Sequence, residues 1–317
     1  MAHMIQEIDK VEILTLQDNF IDIVSKDNSD VIQRAMPLKG MEISNSILAE
    51  HGFSALVTIT RDGRSRSLLF DFGFSEDGAA RNAEALNADL SAVEVLALSH
   101  GHLDHVGGIK NLTDLVGKEN LELVLHPWSF VNPRYLKITE DLKVYFPAFT
   151  KEKAQACGVK VIETEDPYSL LDGQALFLGK IKRVTDFEKG APDLCCEVDG
   201  KEMADPFHDD TGLAFNIKGR GLVVLSGCAH AGIVNTVKHA RQVTGIDDVH
   251  AIMGGFHLSD TDFDSVVKPT TDELKALEPD YIVPTHCTGR EVVMHIENQM
   301  PDQFILNMSG TKLTFAA

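Results

Sequence analysis

The sequence is short of positive charge. Lys and Arg number 29 against 48 Asp and Glu, a net charge of -19 that repels nucleic-acid phosphates and anionic membrane surfaces at long range. Neither nucleic acid nor a membrane is therefore an expected partner. No run of about eighteen apolar residues occurs, so no spanning helix is expected either. Cysteine is sparse: Cys157, Cys195, Cys196, Cys228 and Cys287 are odd in number and contain no Cys-x-x-Cys pair. They follow a start without an apolar signal core, which points to a reducing cytoplasm. Residues 1–4, Met-Ala-His-Met, read as an expression-vector remnant, and His3 is left out of the reasoning. What is present in quantity is apolar material, 44% of 317 residues, ample for a buried core. A single globular domain over residues 5–317 is expected, with a small molecule as its partner.

The chemistry is concentrated in Leu98 to Gly108, LSHGHLDHVGG. An apolar run, Val93 to Leu98, reads as a buried strand and leads straight into three histidines and an aspartate. In extended chain, residues two apart point the same way, so His100 and His102 can offer imidazoles to one ion. Asp104 and His105 fall where the loop turns into a helix, with Asp104 as a natural N-cap, and point at a second ion a few Å away. A lone histidine is usually structural; four ligand-type residues at this spacing, between a strand and a Gly-Gly turn, argue for a two-metal site.

The stretch resembles the His-x-His-x-Asp-His signature of the metallo-β-lactamase superfamily. The order QDN (17–19), EHGFSALV (50–57), LFDFG (69–73), NAEALNADLS (82–91), GCAHAGIVN (227–235), GGFHL (254–258) and PTHCTG (284–289) is similar to one branch of it. That branch is the 7,8-dihydropterin-6-yl-methyl-4-(β-D-ribofuranosyl)aminobenzene 5'-phosphate synthases, and the likeness runs from about Leu14 to Gly289. It implies an α/β (α+β) fold, the four-layer αββα sandwich, and an enzyme using two divalent metal ions.

The coarse pattern suits that fold. Val11 to Leu16 reads as a strand closed by Gln17, Asp18 and Asn19, where Asp18 and Asn19 are turn residues or rim residues of the site. Phe53 to Thr60 and Ser67 to Phe72 read as a hairpin around Arg61-Asp62-Gly63-Arg64. Asp71 lies inside an apolar strand, where a carboxylate must be hydrogen-bonded or face the pocket; the resemblance gives it the role of supporting the metal loop from behind. Glu76 to Asn87 and Ile109 to Leu115 read as helices, the second continuing from Asp104, and Leu121 to Leu125 as a strand ending at His126, a possible substrate contact. Residues 129–207 are the least periodic and are taken as a branch-specific insertion. Within them Arg134, Lys137, Lys182 and Arg183 are the cations available to a phosphate.

The second half repeats the alternation, with strands over 212–217, 222–225, 249–253 and 281–283 and helices over 231–244 and 264–277. Each of its later strands runs into a histidine: His230, His257 and His286. Strand ends of a sandwich converge on one edge, so these three should join the metal loop. By resemblance His286 is the last metal histidine and joins Asp104 and His105. The remaining nitrogen for His100 and His102 comes from His230 or His208, with His230 preferred. Where the superfamily places a bridging Asp this chain has Gly227-Cys228, so the bridge is Cys228, Asp210 or absent. A thiolate there favours zinc; a set of nitrogen and oxygen ligands admits manganese or iron. His257 suits a general acid or a phosphate contact, or makes a structural hydrogen bond, and Asp104 completes the catalytic pair.

Two cations activate water and neutralise charge on phosphate or carbonyl oxygens, so hydrolysis is the default chemistry. The branch resemblance implies instead transfer from a pterin-methyl diphosphate to an aminobenzene ring. The expected function is thus a dinuclear metalloenzyme acting on a phosphorylated or diphosphate small molecule. The alternatives are a metal-dependent hydrolase of an ester, lactone or phosphodiester, and a non-catalytic ligand-binding protein.

Overall fold

Along Lys10–Gln17, Val11 and Ile13 are fully buried while Lys10, Glu12 and Leu14 between them are half-buried, the alternation of a sheet covered on one side more than the other. Val249–Gly255 is buried at every position, as a central strand with cover on both faces requires. The structure, a computed structural model, describes residues 3–43, 45–259 and 261–317.

Two large sheets carry the fold. The first has eight strands in the order Val159–Glu163, Leu121–Leu125, Val93–Ala97, Arg64–Phe70, Ser54–Arg61, Lys10–Gln17, Lys312–Ala316, Ile32–Gln33. The second has seven, in the order Tyr168–Leu170, Ala175–Phe177, Gly212–Ile217, Gly221–Ser226, Val249–Gly255, Tyr281–Thr285, with Glu7–Ile8 pairing parallel to Gly212–Ile217. Their inner faces share one core, in which Val11, Ile13, Phe53, Val57 and Phe70 meet Phe177, Phe215, Val223 and Met253. Helices Gly78–Ala85, Ile109–Val116 and Lys151–Ala156 cover the outside of the first sheet through Ala83, Leu112 and Ala154 on Leu69, Leu96 and Leu123. Helices Ile233–Thr244, Lys268–Ala276 and Arg290–Gln299 cover the second through Val237, Leu274 and Ile296 on Val224 and Ile252. The result is the αββα sandwich, each large aliphatic side chain inside it contributing about 1.5–3 kcal/mol by burial.

Within residues 129–207, Val159–Glu163 extends the first sheet, parallel to Leu121–Leu125, and Tyr168–Leu170 and Ala175–Phe177 extend the second. A separate antiparallel sheet of four strands is built from Lys143–Tyr145, Arg134–Lys137, Leu194–Val198 and Lys201–Ala204.

Three elements differ from the sequence reading. The strand expected to reach Phe72 ends at Phe70, because Asp71 turns into the left-handed region at φ 58. The helix expected to run on from Asp104 is a single turn, Leu103–Val106, separated from Ile109–Val116. Gly107 packs there so tightly that a Cβ would lie 1.7 Å from the Phe74 carbonyl oxygen. The helix expected over 264–277 opens with a wider turn, Phe263–Val267, since Pro269 has no N–H to carry the ordinary ladder back through it.

Candidate metal centre

Parallel strands deliver the ligand-type side chains to one edge. Val93–Ala97 ends just before His100, Gly221–Ser226 just before Cys228 and His230, Val249–Gly255 just before His257, and Tyr281–Thr285 at His286. Parallel strands share one direction, so the loops leaving their carboxyl ends lie side by side and bring these residues together.

The metal loop is held from behind by Asp71. Its Oδ1 accepts from the Ser99 backbone N–H at 2.7 Å, and its Oδ2 accepts from Ser99 Oγ and from His105 Nδ1, each at 2.7 Å. With Nδ1 committed, His105 turns Nε2 to the Cys228 Sγ at 3.1 Å. Two compact ligand sets result, their donor atoms within 4.8 Å of one another: Asp104, His105, Cys228 and His286, and His100, Cys228 and His230. Cys228 belongs to both. In the first, His286 Nε2 lies 3.1 Å from Asp104 Oδ2; in the second, His230 Nε2 lies 3.2 Å from His100 Nε2. His102, expected among the ligands, falls outside both sets, although its ring stands 4.6 Å from that of His100 and 4.7 Å from that of His230, wedged by Phe146 and Phe207. Phe207 also stacks flat on His230, centroids 4.3 Å apart.

The electrostatics suit cations. Burial, then neighbouring imidazoles, hold His100 and His230 well below the ordinary histidine value, and burial followed by the Arg134 charge takes His102 down to about 3. All three are neutral, with lone pairs to give. Burial opposes charge on His105 as well, but Asp71 and Asp104 outweigh it and raise the imidazole to about 9. The field at its Nε2 thus favours positive charge, whether a proton or a metal ion. Burial raises Asp104, yet His105, His286 and His51 hold it well below the usual carboxylate range. The residues fit divalent cations on the chemistry of the set: neutral imidazoles, a carboxylate and a thiol are buried together, with the donor atoms of each set within 4.8 Å of one another.

The structure sorts the remaining candidates. Asp104 does not cap the short helix: His102 holds the cap position, and Asp104 sits in the first turn with its carboxylate free for His286 and His51. His208 lies outside both sets, its ring 4.9 Å from Trp128. Asp210 is outside them too, accepting from the Ala231 N–H, and burial raises it to about 7. Arg134 is buried between Asp205 and Asp209, with Nε 2.8 Å from Asp205 Oδ2 and Nη2 2.8 Å from Asp209 Oδ1. Lys137 pairs with Glu140 and Glu202 on the small sheet. Arg183 donates to the His230 carbonyl, and Lys182 lies beside it on a separate cavity wall. His126 is buried and accepts from the Trp128 N–H, a local cap rather than a cleft contact.

Asp18 and Asn19 do more than line a rim. Asp18, fully enclosed, accepts from the His286 N–H at 2.9 Å and from Asn307 Nδ2 at 2.7 Å; Asn19 reaches His286 Nδ1, the His286 carbonyl and His51 Nδ1. Sequence reasoning missed His51, whose Nε2 lies 3.3 Å from Asp104 Oδ2, and Asp209, whose Oδ2 accepts from the Gly101 N–H in the middle of the metal loop. Gly101 is required there, since a Cβ would lie 2.0 Å from the Ser129 carbonyl oxygen. His51 had one sequence signal, its place in the stretch EHGFSALV directly before the second strand.

A cavity of about 960 Å3 reaches the cluster, lined by His51, His230 and His257 together with Leu136, Phe187, Pro192, Leu194 and Leu258. Its charged lining is acidic, Asp186, Glu188, Asp193 and Asp262, with Lys189 as the one Lys or Arg in it among the described residues. His257 takes a left-handed φ of 46, and its Nδ1 is buried without a hydrogen-bond partner. Burial works against its charge, but the nearby Cys287 sulfur outweighs it and raises the imidazole.

Residues 50–124 match the family model described as the metallo-beta-lactamase superfamily. A Methanocaldococcus jannaschii protein named 7,8-dihydropterin-6-methyl-4-(beta-D-ribofuranosyl)-aminobenzene-5'-phosphate synthase is 30% identical over 264 residues, covering 81% of this chain and 85% of that protein. An uncharacterized protein of the same organism is 30% identical over 247 residues, 76% of this chain and 85% of its own length. Among solved structures, Tm1679, described as a metal-dependent hydrolase of the beta-lactamase superfamily, aligns with a TM-score of 0.73 at 22% identity, covering 97% of this chain and 100% of that one. A diphosphatase of the PhnP family aligns with a TM-score of 0.50 at 13% identity, covering 97% and 98%.

Proposed function

Because the chain belongs to the metallo-β-lactamase superfamily, we propose that it is a dinuclear metal-dependent enzyme acting on a small molecule that carries a phosphate or diphosphate, as a pterin-methyl diphosphate transferase. The observation that carries the reading is the pair of buried ligand sets sharing Cys228. His100, His102 and His230 would hold one ion, Asp104, His105 and His286 the other, with Cys228 between them, and the thiolate favours zinc. Ions held there supply Lewis-acid neutralisation of the charge that develops on a departing diphosphate.

The chain's own residues do the rest. A cleft with Asp186, Asp193 and Asp262 on its walls repels a phosphate everywhere but at its metal end, so the anionic group is oriented inward and the uncharged ring outward against Phe187, Pro192 and Leu258. His257 sits at that inner end with its charge favoured, placed to give a proton or a hydrogen bond to a leaving oxygen. Asp104 is kept ionised by His286 and His51 and fixes both imidazoles. The synthase reading draws on the named relative and on the room beyond the metals for a second ring.

The test has two parts. Metal content per chain should be two ions in the wild type, reduced in His230→Ala and unchanged in His208→Ala. With a pterin-methyl diphosphate as substrate, diphosphate release that requires an added aminobenzene acceptor supports transfer. Release without an acceptor supports the hydrolase, and a wild type that binds no metal sinks both.

A further inference from the structure

Cys228 takes part in a third group that neither proposed ligand set uses. Its Sγ, the Sγ of Cys287 and a ring nitrogen of His257 lie within 4.8 Å of one another. They come from three neighbouring strand ends: Cys228 after Gly221–Ser226, His257 after Val249–Gly255, and Cys287 in the turn His286–Thr288 that closes Tyr281–Thr285. The bare Gly255 permits the approach, since a Cβ there would lie 2.6 Å from Cys287 Sγ. Both thiols are buried, and the contact found for Cys287 Sγ is a long one, 3.6 Å to the Cys228 carbonyl. The His257 Nδ1 is likewise buried and unpaired.

Two sulfurs and an imidazole are a soft donor set. Tetrahedral zinc, with bonds of about 2.0–2.3 Å, spaces its ligand atoms roughly 3.5 Å apart, so a contraction of at most about 1.3 Å between any two closes the group on an ion. We infer that Cys228, His257 and Cys287 form a third cation site, selective for a thiophilic ion, that competes with the dinuclear pair for the Cys228 thiolate. Occupation displaces two protons to solvent, the thiol proton of Cys228 and the imidazolium proton of His257, Cys287 being favoured as thiolate beside them, and no electron changes hands. The competition follows from charge: three cations around one thiolate repel more than the single sulfur repays. The harder oxygen and nitrogen sets lack a second sulfur and so lose a soft ion to this one.

The inference shares Cys228 with the proposed metal pair but is independent of the reaction proposed there. Its test is full-length protein whose bound metal has been exchanged for one equivalent of cadmium. The expected cadmium NMR signal is that of an ion with two sulfur ligands, and the cadmium–thiolate absorption in the ultraviolet falls by about half in Cys287→Ser, by about half in Cys228→Ser, and is lost in the double variant. A signal of a single-sulfur site in the wild type overturns the inference without needing a variant to fold, and so does an absorption unchanged in Cys287→Ser. Either of those results leaves the dinuclear reading intact, whereas a failure to bind cadmium at all removes both.

Discussion

His105 Nδ1 and Asp71 Oδ2 lie 2.7 Å apart with both side chains fully buried, and this one contact decides which nitrogen His105 presents to Cys228. Asp71→Asn keeps the volume and removes the charge. Metal affinity should fall about 10- to 100-fold, the range for loss of a carboxylate that orients a metal histidine. A competitive chelator titration reads this directly, and unchanged affinity would assign Asp71 to the fold alone.

Asp18→Ala removes the acceptor for the His286 N–H and for Asn307 Nδ2 in an enclosed pocket. Each orphaned donor costs about 1–3 kcal/mol, so urea unfolding should show a loss of roughly 2–5 kcal/mol. Metal content should drop with it, because His286 loses its anchor.

Arg134→Met separates two readings of that cation. A substrate contact would raise KM and leave stability alone. The clamp on Asp205 and Asp209 leads us to expect about 3–5 kcal/mol of lost stability instead, from carboxylates left buried without their counter-charge. Thermal unfolding alongside steady-state kinetics distinguishes them.

In the metal-free protein, pH should act in two directions. His100, His102 and His230 are depressed in the fold, His102 to about 3, so below about 6.5 the unfolded chain binds protons that the folded one refuses. Stability should therefore fall as pH drops from about 6.5, by up to about 1.4 kcal/mol per pH unit for each such histidine. His105 has the opposite sign: raised to about 9, it contributes stability that is complete below its unfolded value and lost as pH rises towards 9. Chelator-treated protein followed by urea unfolding from pH 4 to pH 9 should show a maximum between those limits, and a flat profile would contradict the burial of these rings.

Much of this was legible in order along the chain. The hairpin at Asp62-Gly63, both at positive φ, was marked by its Asp-Gly pair, and the sandwich by strands that alternate or run wholly apolar. The metal loop declared itself because all four of its ligand-type residues are local. His51, Asp209 and Cys287 did not, since each acts across a fold contact that spacing cannot encode: His51 lies 53 positions before Asp104 and Asp209 lies 108 after Gly101. The cations of residues 129–207 misled for the same reason. A sequence shows that Arg134 is charged, not that two aspartates some seventy residues later enclose it.

The ring of contacts around His286 draws on both ends of the chain. Asp18 belongs to the first strand region, while Asn307 and Ser309, which hold Asp18, precede the closing strand Lys312–Ala316 that pairs with Lys10–Gln17. In order of synthesis the Asp18 acceptor comes first, His286 next, and Asn307 and Ser309, the anchors of Asp18, last, so the seat of His286 closes only when segments nearly three hundred residues apart meet.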